Sequence, residues 1–209
     1  MTDDMPAGRT GPRRPRQRED FEEMYAGRPP WDIGRPQPAF LALADAGLFQ
    51  GRVLDVGCGT GEHALLAAER GLETTGVDVA ERAIAAAQEK AAARGLAVRF
   101  LVWNALDLPG LGGQFDTVLD CGLFHIFEDP DRPRFVASLH GAMRPGGRYF
   151  MLCFSDRQPG DWGPRRITEA EIRTNFADGW RIDSLDPSTI TITIDPAGAQ
   201  AWLVGMTRV

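Results

Sequence analysis

From residue 52 onward the chain alternates short apolar runs with amphipathic stretches. Val53, Leu54 and Val56, interrupted only by Asp55, read as a short strand buried on both faces. Gly57, Gly59 and Gly61 follow at alternate positions and leave one side of a turn without Cβ atoms. Residues 62–70 are good helix sequence, stopped by Gly71. Residues 73–77 predict a second strand with Asp78 at its end. The pattern then repeats, with a helix over 80–94 closed by Gly95, strands over 97–102 and 114–120, a helix over 131–143 and a strand over 148–154. A capped helix opens at Thr168 and runs to about Phe176, and 180–185, 189–194 and 201–207 predict the closing strands. Strands alternating with helices predict one α/β domain, its sheet mostly parallel and covered on both faces.

The N-terminal part has a different character. Residues 1–18 intersperse prolines and glycines with Arg9, Arg13, Arg14, Arg16 and Arg18, which predicts a disordered tail. Residues 19–48 predict a helical cap on a domain spanning 19–209. Within it a helix begins near Asp20, the 29–36 segment is irregular and proline-rich, and a second helix starts at Pro38. Trp31 is pinned between prolines there.

Size and composition narrow the picture. A chain of 209 residues can bury a sizeable single core, and too little is left for a second domain. The net charge of −6, with Lys90 the only lysine, argues against a nucleic-acid partner. No apolar run approaches a membrane span and no signal core opens the sequence, so the expected location is the cytoplasm. Cys58, Cys121 and Cys153 are too widely spaced to predict a disulfide framework or a zinc site, and no metal is expected.

The chemistry concentrates at the glycines. A strand, glycine turn, helix, strand and terminal acid form a nucleoside-binding half-site, in which Asp78 can accept both hydroxyls of a ribose. The spacing is G-x-G-x-G and not the G-x-G-x-x-G of a dinucleotide site. The stretch Val53-Leu54-Asp55-Val56-Gly57-Cys58-Gly59-Thr60-Gly61 resembles the first motif of class I methyltransferases, whose ligand is S-adenosylmethionine. The resemblance implies a Rossmann-like, doubly wound seven-stranded sheet with an antiparallel strand near the C-terminus. It also implies methyl transfer to a heteroatom (S, O or N) of a small, aromatic or heterocyclic acceptor, leaving S-adenosylhomocysteine. Asp55, Gly57, Cys58, Gly59, Thr60 and Gly61 would then lie against the cofactor, Asp78 and Val79 at its ribose, and Asn104 and Ala105 near adenine, with Asp107 as the alternative acid. Asp120 and Cys121 would face the methyl donor.

Pro30-Trp31-Asp32-Ile33-Gly34-Arg35-Pro36 resembles the N-terminal segment of the thiopurine and thiol-halide methyltransferase group. That likeness implies a segment folded over the cofactor, with Trp31 bordering the site. Phe124, Trp31 and Trp162 are candidates for an apolar acceptor pocket. His125 has two readings: a neutral imidazole that takes a proton from the acceptor, or a ring bonded to the backbone. Arg165 and Arg166 would hold an anionic acceptor or form a solvated pair. A nicotinamide oxidoreductase and a non-catalytic cofactor-binding regulator remain the rival readings.

Overall fold

The computed structural model describes residues 17–209. The expected tail therefore lies outside the described residues, except that Arg18 already begins a helix.

The apolar runs become the strands of one sheet. Among the described residues these are β1 (Val53–Val56), β2 (Thr74–Asp78), β3 (Val98–Val102), β4 (Phe115–Cys121), β5 (Met143–Phe154), β6 (Trp180–Ile190) and β7 (Ala199–Arg208). The helices are α1 (Arg18–Met24), α2 (Pro38–Asp45), α3 (Glu62–Glu69), α4 (Glu81–Arg94), α5 (Arg132–Ala142) and α6 (Glu169–Asn175), with 3₁₀ segments at Ala105–Leu111 and Phe124–Ile126. The strand order is β3-β2-β1-β4-β5-β7-β6. The first five strands are parallel, and β7 runs antiparallel to both β5 and β6. The order reverses between β1 and β4, so a crevice opens beyond their carboxyl ends.

Alternation along the strands divides the core between two faces. Leu54, Val118, Tyr149 and Met151 pack with Phe135 and Leu139 of α5 and with Ile172 of α6. Val53, Leu119, Phe150 and Leu152 pack on the other face with Phe40 of α2 and Leu66 of α3. α4 lays Ile84 and Ala87 against Leu65 and Phe100.

Three segments depart from the sequence expectation. Gln17 replaces Asp20 as the N-cap of α1, and Asp20 closes the capping box from inside by accepting the Gln17 N–H. β5 begins at Met143, pairs it with Phe115, and resumes at Arg148 opposite Thr117 after an irregularity. The alternating residues 189–194 form one strand only as far as Ile190. Beyond it Thr191 exchanges hydrogen bonds with the Gln37 side chain, and Thr193 N–H donates to the Pro30 carbonyl. This stretch leaves the sheet because its backbone is paired with the N-terminal cap.

The first turn is fixed by its glycines and by Asp55. Gly61 sits at φ 86°, and a Cβ there would lie 2.7 Å from the Phe100 ring and 2.9 Å from the Ala87 Cβ. Asp55, 1% exposed, accepts the Ala64 N–H at 3.0 Å and so anchors the start of α3 to the end of β1. Burial pushes its carboxyl up to about 7 against the pull of that hydrogen bond.

Gly61→Ala is expected to cost about 2–4 kcal/mol through backbone strain and overpacking, measured by urea unfolding. Asp55→Asn keeps the acceptor for Ala64. In the native chain Asp55 holds its proton to about pH 7, whereas in the unfolded chain it ionises near its ordinary value of 3.8. The unfolded state thus binds fewer protons in that window, and native stability falls as pH rises through it. The variant should gain nothing at the acidic end and on the order of 2–4 kcal/mol at pH 8, read by unfolding at both pH values.

Candidate functional site

A cavity of about 620 Å³ occupies the crevice beyond β1 and β4. Its floor is backbone. A Cβ on Gly59, which has φ 52°, would meet the Tyr25 hydroxyl at 2.6 Å, and one on Gly57 would meet Leu123 at 3.1 Å. The turn therefore offers a cradle that side chains would fill, which is what a closely bound nucleoside requires. Asp78 closes one end. Its Oδ2 accepts the Gly59 N–H at 2.9 Å and its Oδ1 accepts the Ala80 N–H at 3.0 Å. Burial raises its pKa, while these backbone hydrogen bonds oppose the rise. Each oxygen keeps a lone pair for a sugar hydroxyl. The residues fit the adenosine half of S-adenosylmethionine.

The roof is the N-terminal cap. Trp31 Nε1 donates to the Tyr25 hydroxyl at 3.0 Å, and the two rings meet edge to face at 6.3 Å. Glu22 of α1 caps α4 by accepting the Glu81 and Arg82 N–H groups, and Arg18 pairs with Glu81. Gln37 and Pro30 tie the other end of the cap to residues 191–193. The cap is thus held at both ends.

The far wall is apolar. Ile126, Phe154, Trp162, Ile190 and Ile192 line it, and Ile194, 66% exposed, stands at the mouth. Trp162 is set by the loop ahead of α6. The Arg166 side chain donates to the Gln158, Pro164 and Gly160 carbonyls and lies over the rings of Phe154 and Trp162. Arg165 pairs with Asp129 and Glu171. These arginines brace the loop, so neither the anion-holding role nor a simple solvated pair describes them.

Of the expected site residues, the cavity brings together Trp31, Gly57, Cys58, Gly59, Thr60, Asp78, Val79, Ala105, Cys121, His125 and Trp162. Others lie elsewhere. Phe124 is fully buried against Phe135 and Phe176, because its 3₁₀ turn points it into the core. It does not belong to the acceptor wall; Leu123 and Ile126 take that place. Asn104 is exposed and its Oδ1 caps the following 3₁₀ segment through Leu106 N–H, so it does not line the cavity. Asp107 is exposed as well, and its carbonyl holds the Trp103 indole at 2.7 Å. Gly61 and Asp55 lie beneath the turn and shape it. Asp120 is fully buried, accepting Leu123 and Phe124 N–H groups and the Tyr149 hydroxyl, and burial pushes it up to about 6.

His125 is bonded to the backbone. Its Nδ1 accepts the Phe154 N–H at 2.9 Å, so the neutral ring carries its proton on Nε2. A ring in that tautomer is a donor and not a base. Tyr25, Met24 and the 190–194 segment are contacts that pattern reading missed, since all had an adequate reading as packing.

Comparison with known proteins agrees with this geometry. A family model described as a methyltransferase domain matches residues 53–147. The chain is similar to a 2-heptyl-1-hydroxyquinolin-4(1H)-one methyltransferase of Mycobacteroides abscessus, 38% identical over 83% of this chain and 78% of that protein. A solved structure described as "Conversion of a Disulfide Bond into a Thioacetal Group during Echinomycin Biosynthesis" superposes with a TM-score of 0.84 at 42% identity, covering 92% of this chain and 93% of the other. A Burkholderia thailandensis 1,6-didemethyltoxoflavin-N1-methyltransferase, with its acceptor and S-adenosylhomocysteine bound, gives a TM-score of 0.72 at 25% identity, covering 92% and 87%. With the glycine cradle and the acid at the end of β2, these likenesses set aside a nicotinamide site. The chain belongs to the class I methyltransferases and uses S-adenosyl-L-methionine as its cofactor.

Proposed function

We propose that this enzyme methylates a heteroatom of a small aromatic or heterocyclic molecule. The observation that carries the reading is the apolar wall of Ile126, Phe154, Trp162, Ile190 and Ile192, continuous with the glycine cradle and roofed by Trp31. A flat, largely apolar acceptor is what such a wall selects. The hydroxyquinolone acceptor named for the Mycobacteroides relative has that character. Gly57 and Gly59 lie against the cofactor, Asp78 takes its ribose hydroxyls, and Val79, Trp103 and Ala105 border the adenine. S-adenosylmethionine supplies a methyl group already activated by a positively charged sulfur. The protein's part is to orient the acceptor and exclude water.

A disulfide sulfur as the acceptor is the second reading, favoured by the 42% identity to the chain from the echinomycin disulfide study.

Transfer of labelled methyl to hydroxyquinolones, phenols, mercapto-heterocycles and disulfides tests both. Turnover of the heterocyclic O–H, N–H or S–H compounds is expected. Turnover of disulfides alone would favour the second reading, and failure of the whole panel with S-adenosylhomocysteine still bound would reject both. Asp78→Asn should weaken S-adenosylhomocysteine about tenfold or more, measured by calorimetry, with thermal unfolding of the ligand-free protein as the control for folding.

A further inference from the structure

We infer that Lys90 is a positioning residue for the cofactor: it holds the Thr60 hydroxyl so that this group donates to the carboxylate of S-adenosylmethionine. The inference rests on the cofactor placement given above, with the ribose at Asp78 and adenine toward Val79 and Ala105. It does not depend on which acceptor is methylated.

The contact follows from the packing of α4 on the glycine turn. Gly61 ends the turn, and a Cβ on it would lie 2.9 Å from the Ala87 Cβ, so two small residues let the helix come close. Lys90 stands one helical turn beyond Ala87 on the same side of α4. Its ammonium donates to Thr60 Oγ1 at 2.8 Å and to Glu62 Oε1 at 2.7 Å. These two acceptors flank Gly61, so one cation clamps the end of the turn to the first residue of α3. Glu62, 7% exposed, is paired a second time by Arg94, whose Nη2 reaches both carboxylate oxygens at 3.1 and 2.9 Å. The carboxylate therefore keeps a cation when Lys90 is removed.

The residue type fits this bridge. The chain has 23 lysines and arginines together, and the single lysine among them stands here. An ammonium sets three donors around one compact atom and can reach a hydroxyl and a carboxylate on neighbouring residues, whereas a guanidinium spreads its donors in a plane.

The consequence lies at the Thr60 hydroxyl. Thr60 lines the cavity and is half-buried. Its oxygen accepts from a cation, which polarises its own O–H into a stronger donor. Such a donor is matched best by an anion, and the carboxylate is the one anionic group of S-adenosylmethionine. Asp78 takes the Gly59 N–H, and Thr60 is the next residue of the turn. With adenine on the Val79 and Ala105 side of the ribose, the turn is left for the amino-acid end.

The test is calorimetric binding by the full chain, with S-adenosylhomocysteine and its decarboxylated analogue, the same thioether ending in a propylamine, as probes. Lys90→Met and Thr60→Val should each weaken S-adenosylhomocysteine about tenfold and the analogue less than about twofold. Thr60→Ser keeps the hydroxyl and should bind S-adenosylhomocysteine within about twofold of the native chain. The double variant should lose no more than Thr60→Val alone, because Lys90 acts through that hydroxyl. Equal weakening of both probes by Lys90→Met would reduce the lysine to a brace for the turn and overturn the inference. Unchanged S-adenosylhomocysteine binding, or additive losses in the double variant, would overturn it as well. Thr60→Val leaves the Glu62 ion pairs intact and tests the same contact if Lys90→Met fails to fold. No acceptor enters the measurement, so failure of the proposed acceptor class leaves its outcome unaffected.

Discussion

The site depends on how a turn without side chains keeps its backbone satisfied. A ligand can approach the chain from Gly57 to Gly61 only because the backbone is bare, and a bare turn facing a cavity has few partners of its own. Two carboxylates at the ends of adjacent strands supply them. Asp78 takes the Gly59 N–H, and Asp55 takes the Ala64 N–H in the first turn of α3. The Cys58 N–H donates back to the Val77 carbonyl at 2.9 Å, which locks the turn to β2. The cost is visible in the carboxyl groups themselves, which burial drives away from ionisation. That cost is tolerated because loss of either acceptor would leave a buried N–H unpaired.

The acceptor half is held differently. Beside Phe154 and Ile190 at the ends of β5 and β6, its walls come from segments that leave the sheet: the cap over 29–37, the loop braced by Arg166, and the stretch after Ile190. The cap and the stretch after Ile190 are joined by backbone and amide hydrogen bonds, as between Gln37 and Thr191. Arg166 serves as a strut, pinning four carbonyls while its guanidinium covers two aromatic rings. Such a wall is ordered, but its order comes from side chains and not from the ladder of β-strands.

That difference explains what could be read from the sequence. The run Val53 to Gly61, the acid at Asp78 and the order of strands and helices were legible because short continuous apolar runs and glycine punctuation are local signals. The placement of Phe124 was not. In a single 3₁₀ turn no periodicity distinguishes the residue facing the core from its neighbours facing the cavity, and Leu123 and Ile126 hold the cavity side instead. Asn104 misled for a related reason. Its side chain had a partner within its own segment, the Leu106 N–H, and capping competes with ligand binding for the same oxygen. Ile190, Ile192 and Ile194 alternate as a strand does, yet the partner of that backbone is a distant glutamine, which no local pattern reveals. His125 was legible in position but not in tautomer, because the deciding donor, Phe154 N–H, lies on another strand.

The two halves therefore answer to different constraints. On the cofactor side a change from glycine to any larger residue collides with Tyr25, Leu123 or Phe100, so the chain has almost no latitude there. On the apolar wall the side chains are isoleucines and aromatic rings, most of them on segments outside the parallel strands, where a change of size reshapes the wall without disturbing the turn. The histidines sit at the junction. Each holds a neighbouring segment by one ring nitrogen, His63 the start of α2 and His125 the end of β5. Their hydrogen bonds join the rigid cradle to the variable wall.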